Sequence, residues 1–293
     1  MKKEEFKNSF NDILKGHKWE VTNPTKIVLL VTGMAEHSAR YDHFAKALNK
    51  EKISVFCLDH YAQGANGELG NPPVDYFFKM IETIKEYALY LKSIYQVEII
   101  LIAHSMGSFI SQGVIEKYSK EFSKVVLIGT NGKNPLVKVG KVLSSIIVND
   151  KNYNKKAKFL KSLSIGAYEK TIKGRKSNNE WISYNMENVK TYDADPLSGF
   201  DCTNGFYREF LKGLASIQKK KNIAKISKEV PILIIGGDSD AVSNNGKGLK
   251  NLFKLYAKAD LNVTLNIFTK MRHEILNEEN KEKPYKAIID FVK

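Results

Sequence analysis

Five short stretches of the chain are almost uninterrupted in aliphatic residues: Lys26–Val31, Ile53–Leu58, residues 97–102, Lys124–Ile128 and residues 230–235. Runs of this length, bounded by turn residues, read as strands buried on both faces, the pattern of parallel sheets. Val263–Phe268 alternates apolar and polar positions and reads as a further strand. Between these runs the spacing predicts helices over residues 41–50, Tyr76–Tyr95, residues 108–118 and residues 206–218. Strand and helix in alternation, with no internal repeat, imply an α/β chain with a mostly parallel central sheet and helices on both faces. The alternation stops after Gly129-Thr130-Asn131-Gly132 and resumes near Gly205. Residues 1–132 and 205–293 are therefore expected to form the core, and residues 133–204 an inserted, mainly helical cap.

The candidate chemistry sits at the ends of those strands. Ala103-His104-Ser105-Met106-Gly107 lies between a strand and a helix, where a sharp turn projects a serine hydroxyl out of the backbone and tolerates only small residues two before and two after it. Ala103 and Gly107 meet that demand, as a variant of G-x-S-x-G. A serine needs a general base, and the base needs a group that fixes its tautomer and stabilises its charge. The strand over residues 230–235 runs into Gly236-Gly237-Asp238-Ser239-Asp240, and the loop after Val263–Phe268 presents His273. Ser105, an aspartate and His273 then follow in the chain order of α/β-hydrolases. Asp238 and Asp240 compete for the acid role; Asp240 is favoured because its reach past the strand end lets it meet the histidine loop. His104, beside the nucleophile, is read as a packing residue of the turn. An oxyanion needs donors already aimed at it. Met106 N–H, at a helix N-terminus, is one, and the loop Thr32–Ser38 is expected to supply the second.

The stretch Gly33-Met34-Ala35-Glu36-His37-Ser38-Ala39-Arg40-Tyr41, the turn around Ser105, Asp195-Pro196-Leu197-Ser198-Gly199-Phe200 and Gly237-Asp238-Ser239-Asp240-Ala241-Val242 together resemble the monoacylglycerol lipase and lysophospholipase group, α/β-hydrolases often called serine aminopeptidase-like. The similarity runs from the first of these strands to the C-terminus. It implies an α/β-hydrolase fold, a Ser105, Asp240 and His273 triad, and an oxyanion hole made by the N–H groups of Met34 and Met106. Two departures stand out. The family usually has His-Gly where this chain has Thr32-Gly33, and D-x-R-G-x-G where it has Asp59-His60-Tyr61-Ala62-Gln63-Gly64. The first removes a side chain that helps hold the oxyanion loop, and the second removes an arginine.

Charge changes the picture in one region. The chain carries 46 Lys and Arg against 32 Asp and Glu, a formal +14. Between Lys133 and Lys176 there are 12 basic and 2 acidic residues, so a net +10 falls in the insertion. There Leu136, Val139, Leu143, Ile146 and Ile147 recur at helical spacing beside Lys138 and Lys141. Such a helix could receive an acyl chain, and Leu136, Val139, Leu143 and Ile146 are the expected contacts; it could also rest on an anionic membrane surface, or be no more than a solvated basic face. Nucleic-acid binding has only the net charge and the interleaved Tyr153, Phe159 and Tyr168 behind it, with no recognised motif. The two cysteines, Cys57 and Cys202, offer neither a disulfide framework nor metal-ligand spacing, and no metal or organic cofactor is expected. The start Met1-Lys2-Lys3-Glu4-Glu5-Phe6 has acidic residues where a signal peptide needs apolar ones, so the cytoplasm is the expected location, with peripheral contact at the inner membrane surface. The expected activity is hydrolysis of a small lipid ester, lysophospholipid or monoacylglycerol. An aminopeptidase on the same scaffold would need a carboxylate for the substrate amine, and Glu36 and Glu187 are the candidates.

Overall fold

The computed structural model describes residues 1–293. An eight-stranded sheet in the order β1-β2-β4-β3-β5-β6-β7-β8 forms its centre. The strands are β1 Lys2–Lys7, β2 Ile13–Trp19, β3 Lys26–Val31, β4 Ile53–Leu58, β5 Glu98–His104, β6 Lys124–Ile128, β7 Ile232–Gly237 and β8 Val263–Phe268. From β4 onward across the sheet every pairing is parallel, with Val31 opposite Ala103, His104 opposite Ile128 and Gly237 opposite Phe268. This register brings the C-terminal ends of β3, β5, β6 and β7 to one edge, where loops can share a crevice.

The central strands β3 to β7 are apolar at nearly every position because both faces are covered. A period of two sends Ile27, Leu29 and Val31 to one core and Val28 and Leu30 to the other. The first core is closed by α2 (Tyr76–Tyr95), through Phe77, Met80 and Ile84, and by α3 (Met106–Tyr118), through Ile110 and Val114. The second is closed by α1 (Asp42–Asn49), through Phe44 and Leu48, and by the C-terminal helix, which contributes Tyr285, Ile288 and Val292.

Between β6 and β7 lie α4 (Leu136–Ile147), α5 (Lys158–Leu163), α6 (Ile165–Glu169), a 3-10 turn at Glu180–Ile182, α7 (Met186–Ala194), α8 (Asn204–Leu214) and α9 (Lys220–Ile223); α10 (Lys247–Ala257) and α11 (Glu282–Val292) follow. The sequence reading has α8 running to residue 218, four beyond its observed end; Gln218 instead takes a left-handed conformation. That reading also assigned nothing to the first 25 residues, which form the antiparallel pair β1 and β2 and attach to β4 with Trp19 opposite Val55. Five of the six residues of β1 are charged, so no apolar run announces this edge strand. No helix is long and apolar enough to cross a membrane. Cys57 and Cys202 are both buried free thiols.

Candidate active site

Ser105 follows β5 and precedes α3 with φ 49° and ψ −120°. A non-glycine residue held there stores roughly 1–3 kcal/mol of strain, so the surroundings must impose it. Ser105 N–H donates to Ile128 O across the sheet at 2.9 Å, and the Ser108 hydroxyl donates to Ser105 O at 2.6 Å. Two residues on, a Cβ on Gly107 would lie 2.3 Å from Thr32 O, so only glycine lets α3 approach β3 this closely.

His273, in the loop after β8, reaches the serine: its Nε2 is 2.7 Å from Ser105 Oγ, and its Nδ1 is 2.9 Å from Asp240 Oδ1. Asp240 is fully buried; Oδ1 also accepts the Val242 N–H at 2.9 Å, and Oδ2 has no hydrogen-bond partner. The His273 ring lies between His104, at 4.8 Å between centroids, and Trp181 from the insertion, at 5.3 Å. Asp238 goes elsewhere. It is half-exposed and accepts from the Ser239 hydroxyl and from Lys270 N–H, tying its own turn together.

The loop after β3 packs against the serine: a Cβ on Gly33 would lie 3.1 Å from Ser105 Cβ. Met34, outside every strand and helix, donates its N–H to no protein acceptor; Met106, as the first residue of α3, has no intrahelical acceptor for its own. Ala35 adopts φ 53°, a left-handed conformation unfavourable for any residue with a Cβ. Behind this loop is a buried charged cluster. Arg40 bonds Glu36 Oε2 at 2.8 Å and both oxygens of Glu274 at 2.7 and 2.8 Å. Glu36 Oε1 accepts from Gly33 N–H, from the Tyr41 hydroxyl at 2.8 Å and from His104 Nδ1 at 3.1 Å. Burial by itself would raise the Glu36 carboxyl, but His104, Arg40 and the Tyr41 hydroxyl reverse this and hold it well below the usual carboxylate range. Burial also opposes charge on Glu274 and on His104; Arg40 outweighs it and lowers Glu274, and Glu36 outweighs it and raises His104. The cluster thus joins residues next to the serine, next to His273 and within the loop after β3.

Ser105, His273, Met34 and Met106 open into a cavity of about 970 Å³, walled mostly by apolar side chains from α4, α5, α6 and α8. Residues 22–280 match the family model described as serine aminopeptidase, S33 (Hydrolase_4). The chain belongs to this family. Among curated relatives it is 27% identical, over 94% of its length and 92% of theirs, to a monoglyceride lipase homolog of Monkeypox virus, and 26% identical, over 89% and 85%, to a monoacylglycerol lipase of Mycolicibacterium smegmatis. A thermostable carboxyl esterase from Bacillus coagulans, solved with glycerol, superposes with a TM-score of 0.90 at 23% identity, covering 100% of this chain and 98% of that one. This last likeness concerns the fold: the chain is an α/β-hydrolase.

Against this S33 architecture the expected site residues fall into two groups. Ser105, Asp240, His273, Met34 and Met106 converge. Of the four expected acyl contacts, Leu136, Val139 and Leu143 line the cavity, whereas Ile146 does not: it is 73% exposed in the last turn of α4, about two turns beyond Val139. The apolar stripe outlasts the cavity, whose α4 lining ends at Leu143, with Gly140 facing Leu211 of α8. Neither amine-binding candidate is free for that role. Glu36 is buried and bonded on both oxygens, and Glu187 is exposed at the start of α7, outside the cavity wall. His104 is a member of the charged cluster as well as a packing residue. Sequence reasoning does not reach Glu274, Tyr192 or Trp181, and it meets Gln63, Arg40 and Tyr41 within motifs without giving them a role; Trp181, one of two tryptophans, is the clearest available signal.

Proposed function

We propose that this hydrolase cleaves carboxylic esters of single-chain lipids, of the monoacylglycerol or lysophospholipid kind, through an acyl-enzyme intermediate. The observation that carries the reading is the unbroken chain Asp240, His273, Ser105 opening into a large apolar cavity. In it, His273 Nε2 takes the Ser105 proton as Oγ attacks the ester carbonyl, and Asp240 holds the imidazole through Nδ1–H and stabilises its positive charge. The Met34 and Met106 N–H groups receive the oxyanion, each worth on the order of 10²–10³ in rate. Collapse expels the alcohol with the proton from His273, and water, activated by the same histidine, releases the fatty acid. The acyl chain lies along the cavity, where each buried methylene contributes about 0.8 kcal/mol.

Residues 133–204 act in this reading as the cap, and its outer face as the contact with an anionic lipid surface. Leu136 and Val139 line the cavity and are also 70% and 63% exposed, as Leu163 of α5 is to a similar degree. The mouth of the cavity therefore opens on an apolar rim, and Lys138 and Lys141 flank it on α4. Each lysine near an anionic surface contributes about 1 kcal/mol before screening.

The family description also names an aminopeptidase. Among the carboxylates lining the cavity, Glu36 and Glu274 are engaged by Arg40, which leaves half-exposed Glu169 as the group a substrate amine would need. Hydrolysis of a matched panel decides: monoacylglycerol, lysophosphatidylcholine, a short p-nitrophenyl ester and an aminoacyl anilide, with Ser105→Ala as the blank. Lipid turnover lost in Ser105→Ala is the expected result; cleavage of the anilide alone overturns it.

A further inference from the structure

The strained residue of the oxyanion loop is held by groups from outside it. Ala35 N–H donates to Gln63 Oε1 at 2.6 Å, and Ala35 O accepts from the Tyr192 hydroxyl at 3.0 Å and from Gly199 N–H at 2.9 Å. Gln63 Nε2 spans the same loop, donating to Gly33 O at 2.9 Å and Glu36 O at 3.3 Å. Gln63 is fully buried in the loop after β4, and Tyr192 is buried on α7 with Arg40 lying 4.7 Å from its ring centre. Gln63 thus holds the peptide groups on either side of Met34, and Tyr192 and Gly199 hold the next one, between Ala35 and Glu36. A residue with a Cβ keeps a left-handed φ only when its surroundings over-determine it, and these bonds do so.

We propose that Gln63 and Tyr192 are positioning residues for the oxyanion hole: by fixing Ala35 in its left-handed conformation they aim the Met34 N–H at the developing oxyanion, and Tyr192 makes that aim depend on the seating of α7. This rests on the ester-hydrolase reading above. It also accounts for the two departures in the sequence. His60 Nε2 donates to Thr32 O at 2.8 Å and Gln63 clamps the residues that follow, so the loop is held although the usual histidine and arginine are missing.

The test measures kcat and KM for monoacylglycerol in the full-length protein, with inhibition by a trifluoromethyl ketone that forms a tetrahedral adduct. Tyr192→Phe keeps the ring over Arg40 and removes one hydroxyl. The expected result is about a tenfold fall in kcat, less than outright loss of a donor causes, with KM unchanged and ketone affinity falling by the same factor. Ala35→Gly in the Tyr192→Phe background should restore most of both, because glycine adopts the left-handed conformation without help. Gln63→Met should lower kcat in the same pattern; where it fails to fold, Tyr192→Phe with its rescue decides. Unchanged kcat in Tyr192→Phe, a loss shared by KM, or a loss that Ala35→Gly does not restore overturns the proposal. Turnover that survives Ser105→Ala overturns the serine reading itself, and is seen in a separate arm.

Discussion

The two sides of the candidate active site handle charge in opposite ways. Beneath the serine, Glu36, Arg40, Glu274 and His104 are buried and bonded to one another, each held where desolvation alone would oppose its charge. Above it, α4 exposes Leu136, Val139, Val142 and Ile146 to solvent beside Lys138 and Lys141, which form no ion pair. The first arrangement fixes geometry, because removing one member leaves an uncompensated buried charge. The second leaves surface free, which suits the proposed contact with a lipid.

The comparison can be tested first at its centre. Asp240→Asn should lower kcat on esters by about 10⁴, as loss of the histidine-orienting carboxylate does in a serine triad, while Asp238→Asn should stay within about twofold; equal losses would return the acid role to both. Next, Arg40→Met should destabilise the fold by about 3–5 kcal/mol, since it strands two buried carboxylates, whereas Lys138→Gln with Lys141→Gln should leave the melting temperature where it is. Thermal unfolding of the two variants side by side measures the contrast, and similar shifts would erase it. Replacing Val142 and Ile146, exposed on α4 outside the cavity wall, with Ser should then weaken binding to vesicles containing anionic phospholipid by roughly tenfold, with turnover of a soluble short ester little changed; vesicle binding that survives would leave the exposed face of α4 without that role.

The smallest effect is one of pH. Because the folded-state pKa of His104 is raised by Glu36 against the pull of burial, its contribution to stability is complete below the ordinary histidine value near 6.5 and is lost as pH rises through the raised value. The melting temperature of wild type minus that of His104→Gln should therefore be largest at mildly acid pH and shrink toward alkaline pH. Glu36 and Glu274 have the opposite sign. Their depressed values stabilise the fold above the usual glutamate range, and that support is lost as pH falls through their folded pKa values.

Most of the scaffold was legible because both faces of the parallel strands are buried. Ile27 to Val31 had to be apolar at every position, and that run is visible without coordinates. The same logic hid β1, whose edge position and charged residues leave only Phe6 as an apolar anchor. Ser105 and His273 could be named because turn chemistry and chain order constrain them locally. Ile146 was misplaced because an apolar stripe says that a helix has a face without saying which neighbour it meets, and here part of the stripe meets water.

The α/β core, the serine turn, the order of the catalytic candidates and the concentration of positive charge between Lys133 and Lys176 could be read from the chain, since each depends on residues close in sequence or on a simple count. Packing was needed to show which aspartate meets His273, that Arg40 joins Glu36 to a Glu274 lying 234 positions beyond it, and that Gln63 and Tyr192 grip the loop around Met34. Those pairings depend on hydrogen-bond geometry between segments brought together only by the packing of the sheet, and no local pattern encodes that geometry.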